Sequence, residues 1–127
     1  MTKRLYNTPY TGEYLNRVAF PMGGMGAGML CLEGTGALSH VSLRGHADIF
    51  NEPLMFAALS IACNASAGSQ SRRARLARVL EGPVPMWKAF GTPGAGNGLG
   101  GTSYGLPRFA EATFEARFPF GTVTLHD

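Results

Sequence analysis

The groups in this chain that could do acid–base, nucleophilic or metal chemistry are few: three histidines, eight carboxylates and two cysteines in 127 residues. Gly101-Thr102-Ser103-Tyr104-Gly105 matches the GxSxG pattern of a nucleophilic serine. Glu111 or Glu115 and then His126 follow it in the nucleophile–acid–base order of α/β-hydrolases. That serine needs a strand before it and a helix after it. Here glycines precede it and Pro107 blocks a helix just beyond. A small serine hydrolase is therefore a minor alternative, tested by fluorophosphonate labelling of Ser103. His40, His46 and Asp48 are the closest approach to a metal set, but zinc and iron sites need three or four ligands converging on one point. Glu111 and Glu115 would share one strand face about 13 Å apart. Carboxylates that flank a sugar stand ~5–9 Å apart, so these two read as solvated strand residues. No catalytic, cofactor-binding or metal-ligating residue is assigned, and no cofactor is implied.

Two glycine-rich stretches offer phosphate chemistry. Residues 96–101 match GxGxxG, yet the match neither follows a strand nor opens a helix. The stretch from Phe20 to Leu32 packs four glycines into residues 23–28 and then turns without a break into an apolar run. A phosphate cradle of the P-loop kind requires a lysine and a serine or threonine after the last glycine. Met29, Leu30 and Cys31 follow instead. The pattern fits a tight backbone crossing that leads into a buried strand, where glycine supplies close approach or positive φ.

The elements around these residues read mainly as strands. Residues 1–19 read as an irregular lead-in, with turn chemistry at Thr8-Pro9-Tyr10-Thr11-Gly12. A strand over 28–33, a glycine turn at 34–36 and a strand over 38–43 make a hairpin. Residues 54–63 are apolar on both faces, which predicts a buried strand, although periodicity alone leaves a short buried helix open. Residues 75–80 are ambiguous and favour a strand over 77–81, because Gly82 and Pro83 stop a helix. Residues 83–104 form a long Gly/Pro-rich loop carrying the only tryptophan, Trp87; a loop of that length is usually functional or mobile. Ala110, Ala112, Phe114, Ala116 and Phe118 alternate with Glu111, Thr113, Glu115 and Arg117, giving period two over nine residues. A turn at 119–121 then returns the chain through a last strand, 122–126. Strand following strand predicts a mainly β class, an antiparallel β-sandwich. A terminal strand with an apolar face needs neighbours and a facing sheet, so the sandwich is expected to be incomplete and the chain an N-terminal piece of something longer.

Composition narrows the class. Hydrophobic residues make up 45% and charged residues 15%, which is globular and not disordered. The low charge suggests that another domain covers part of the surface. Net charge is +3, and Arg72, Arg73, Arg75 and Arg78 alone supply four positives. One local cluster is not the distributed basic face that nucleic acid requires, so no nucleic-acid partner is expected. Cys31 and Cys63 form neither a CxxC pair nor a disulfide framework and read as buried free thiols. The N-terminus lacks the apolar core of a signal peptide, and no run reaches the ~20 apolar residues of a membrane span. The expected location is cytoplasmic.

Several segments together carry a resemblance. Residues 20–28, FPMGGMGAG, resemble the FPxGGxGAG segment that opens the N-terminal domain of glycoside hydrolase family 116, the bile-acid β-glucosidase or non-lysosomal glucosylceramidase family. Leu32-Glu33-Gly34-Thr35-Gly36-Ala37 and Phe50-Asn51-Glu52-Pro53 are similar to that family too. So are Tyr104-Gly105-Leu106-Pro107-Arg108-Phe109 and the run from Phe114 to Gly121. These lie in the family's order across roughly residues 16–127.

The resemblance implies an N-terminal β-sandwich, here residues 20–127 and only part of the family's domain, joined to a C-terminal (α/α)6 barrel that this chain lacks. In the family the barrel carries a glutamate nucleophile and an aspartate acid/base for retaining hydrolysis of β-glucosides, including glucosylceramide. None of those catalytic motifs has a matching position here. The implied function is support of a β-glucosidase or glucosylceramidase barrel, with that barrel as partner and a β-glucoside or glucosylceramide-like substrate reached through it. This piece alone is expected to be inactive. Trp87, Tyr104 and Arg108, beside the Gly/Pro-rich loop, are candidates to face the barrel or the rim of its sugar site. Packing of the sandwich's own rim explains them as well. The alternative function is a non-catalytic carbohydrate- or lipid-binding β-sandwich module.

Overall fold

The computed structural model describes residues 4–46, 55–63, 74–85, 88 and 104–127. Within them the protein is mainly β, with three antiparallel sheets. The strands are β1 (Tyr10–Thr11), β2 (Ala19–Met22), β3 (Met29–Glu33), β4 (Leu38–Ser42), β5 (Ala58–Cys63), β6 (Ala74–Val79), β7 (Glu111–Arg117) and β8 (Phe120–His126). A 3-10 helix at Gly12–Arg17 joins β1 to β2. The first sheet has the order β1-β7-β8, the second β2-β3-β4, and β5 and β6 form a two-stranded ribbon.

The first two sheets close on a small core. Phe114 of β7 is fully buried, and Ala112 and Leu15 lie beside it. Tyr10 meets the Phe114 ring edge-on with centroids 6.2 Å apart, and Phe20 of β2 approaches it at 5.9 Å. Val18, Leu32, Val123 and Leu125 pack around this group. Residues 1–19, read as an irregular lead-in, therefore do more than lead in. Tyr10 and Thr11 pair with Phe114 and Thr113, and Leu15 is a core side chain. The strand signal was missed because two residues are too few to show a period of two.

The hairpin expected across the 34–36 turn forms β3 and β4, closed by hydrogen bonds from Gly36 N–H to Glu33 C=O (2.9 Å) and from Glu33 N–H to Ala37 C=O (2.8 Å). Its register slips between Met29, opposite Ser42, and Cys31, opposite Ser39. The extra residue in β4 is the usual signature of a bulge, and His40 there has φ 54°. Residues 20–28 become β2 and the β2–β3 connection. Gly28 has φ +97°, and a Cβ on it would stand 2.6 Å from the carbonyl oxygen of Ser42. A Cβ on Gly23 would collide with the carbonyl of Gly28. Gly23 and Gly28 are thus required where the chain passes close to other backbone, as the sequence suggests, whereas a Cβ at Gly24 or Gly26 would meet no close neighbour.

Four expectations shift. The strand placed at 77–81 is Ala74–Val79. The β7–β8 turn falls at Phe118-Pro119, one residue earlier than expected, because Arg117 already faces Phe120 across the ladder. Residues 55–62 of the run 54–63, expected to be buried on both faces, are exposed: Leu59 and Ile61 are each more than 40% accessible, as is Leu76 on the paired strand β6. An apolar run specifies a surface that gains by burial; it does not specify what covers it. The alternation on β7 is also buried over only part of its length. Ala112 and Phe114 are enclosed, whereas Ala116 and Phe118 are open to solvent.

Candidate functional site

The loop that follows β6 and the chain that leads into β7 meet beside the β3–β4 turn. Beyond β6 the backbone of Val79–Glu81 is held by three partners. Val79 N–H donates to Pro107 C=O (2.9 Å), Leu80 N–H to Ala57 C=O (2.7 Å), and Phe109 N–H to Glu81 C=O (3.2 Å). Gly82 N–H then donates to Thr35 C=O at 2.8 Å. Gly82 can approach because it has no Cβ: one placed there would stand 2.6 Å from the Cβ of Ala112. This hydrogen bond brings the glycine turn of the second sheet against the segment between β6 and β7.

Two buried ion pairs flank the junction. Glu33, the last residue of β3, receives the Lys88 ammonium on both carboxylate oxygens at 2.6 Å. Both residues are less than 10% exposed. Glu81 receives the guanidinium of Arg108, and the same guanidinium lies over the Tyr104 ring, 6.0 Å from its centroid. Burying a carboxylate is costly unless it is paired and hydrogen-bonded, and each of these has a cation. Charge is therefore neutralised in place, and the pairs act as fasteners between segments 55 and 27 residues apart in sequence.

Of the candidates named from the sequence, Tyr104 and Arg108 come together here, with Arg108 directed inward onto Glu81. Trp87 lies outside the described residues, although its neighbour Lys88 is at the site. Glu33, Glu81 and Lys88 escaped sequence reasoning. A lone glutamate before a Gly-Thr-Gly turn gave the only hint, and nothing in periodicity pairs it with a lysine so far along the chain.

The other chemical constellations do not assemble among the described residues. Ser103 and the GxGxxG stretch lie outside them, as does Asp48. His126 sits opposite Glu111 in the β7–β8 register, while Glu115 is bound to Arg117 at 2.6 Å. His40 lies 2.6 Å from the hydroxyl of Ser39 through Nδ1, and that hydroxyl belongs to a side chain almost wholly buried. No three histidine, cysteine, aspartate or glutamate side chains among the described residues group as a metal site. Cys31 is buried and free of any disulfide; burial pushes its thiol pKa up, and the nearby Glu33 carboxylate adds to the rise. No helix among the described residues is long and apolar enough to cross a membrane. No known family model matches the chain, and no curated protein matches it.

Proposed function

We propose that residues 20–127 form part of the N-terminal β-sandwich of a retaining glycoside hydrolase of the β-glucosidase or glucosylceramidase type, whose task is to support and shape a separate (α/α)6 catalytic domain. The observation that carries this reading is where the family-like segments fall. Residues 20–28 form most of β2 and the self-crossing β2–β3 connection, residues 32–37 the turn bearing Glu33, and residues 104–109 the segment fastened through Arg108 to Glu81. Each of these family-like runs does a specific structural job that depends on its glycines or its charge. The exposed apolar face of the β5–β6 ribbon also suits a domain meant to sit against more protein.

The parent enzyme would work in the cytoplasm on a β-glucoside or glucosylceramide-like substrate, and the present chain would contribute no catalytic group. The test is to extend the reading frame beyond residue 127, express the longer protein and assay hydrolysis of 4-methylumbelliferyl β-glucoside. Hydrolysis that releases the β-anomer first, together with no turnover by residues 1–127 alone, is the expected result. A downstream sequence without helical repeats and an acidic pair would overturn the proposal. That outcome would leave the non-catalytic carbohydrate- or lipid-binding module, to which the aromatic turn of the β7–β8 hairpin lends some weight.

A further inference from the structure

We draw no further inference here: the strongest candidate, the apolar face of the β5–β6 ribbon on which Leu59, Ile61 and Leu76 stand exposed, carries nothing because nothing in the structure shows what covers it.

Discussion

Phe114 shows how much rests on single side chains in a core this small. It is fully enclosed, and both Tyr10 and Phe20 lean on its ring. Removing it leaves a cavity that two sheets share. Phe114→Ala should cost about 3–5 kcal/mol, read as a lower urea midpoint. At Gly28 the constraint is backbone and not volume. Gly28→Ala combines φ +97° with a Cβ pressed on the Ser42 carbonyl, and should destabilise by about 1–3 kcal/mol or more. Gly26 also has a positive φ (+77°) but open space around it, so Gly26→Ala should cost less in the same denaturation experiment. Cys31 makes a chemical prediction. The thiolate is the reactive form, and burial together with Glu33 holds the thiol protonated to higher pH. Alkylation of Cys31 by iodoacetamide in the native protein should therefore be much slower than in urea at neutral pH and should gain only as the pH rises, measured by mass spectrometry of the Cys31 peptide.

At the scale of elements, the Glu33–Lys88 pair is the fastening whose removal can be read most directly. Breaking one partner leaves a buried charge, at a cost of about 3–5 kcal/mol. Lys88→Met alone should be strongly destabilising, whereas Lys88→Met combined with Glu33→Leu should recover much of the loss in a double-mutant comparison of urea midpoints. The hairpins were legible in the sequence because their signals are local. Alternation on 110–118, the glycine turn at 34–36 and the breakers at 119–121 each act within a few residues. The boundaries of β6 were not legible, since Arg and Ala give no period and the strand is set by its ladder with β5. The ion pairs were not legible either, because Glu33 and Lys88 stand 55 residues apart and meet through tertiary packing, which also sets Gly82 N–H on Thr35 C=O, and not through any local pattern.

For the molecule as a whole, the mainly β class followed from turn spacing, but the extent of burial did not. Hydrophobic patterning predicted a ribbon enclosed on both sides at 54–63, and Leu59 and Ile61 are open. Which faces are covered depends on how the sheets pack, and on any polypeptide beyond these residues, and neither is encoded in a window of ten residues. β5 is also an uncharged strand whose other edge pairs with no strand among the described residues, the arrangement most prone to edge-to-edge association.

The order of the strands has one further consequence. A cut in the backbone anywhere between Cys63 and Ala74 would divide the chain into a part that owns β1 to β5 and a part that owns β6 to β8. β1 would remain laddered to β7, and β5 to β6. Leu15 and Phe20 would still grip Phe114, and Glu33 would still hold Lys88. The two halves are interlocked partners, so the protein is a natural candidate for fragment complementation. Residues 1–63 and 74–127, produced separately and mixed, should elute together in gel filtration, and the Lys88→Met substitution in the second piece should weaken that reunion.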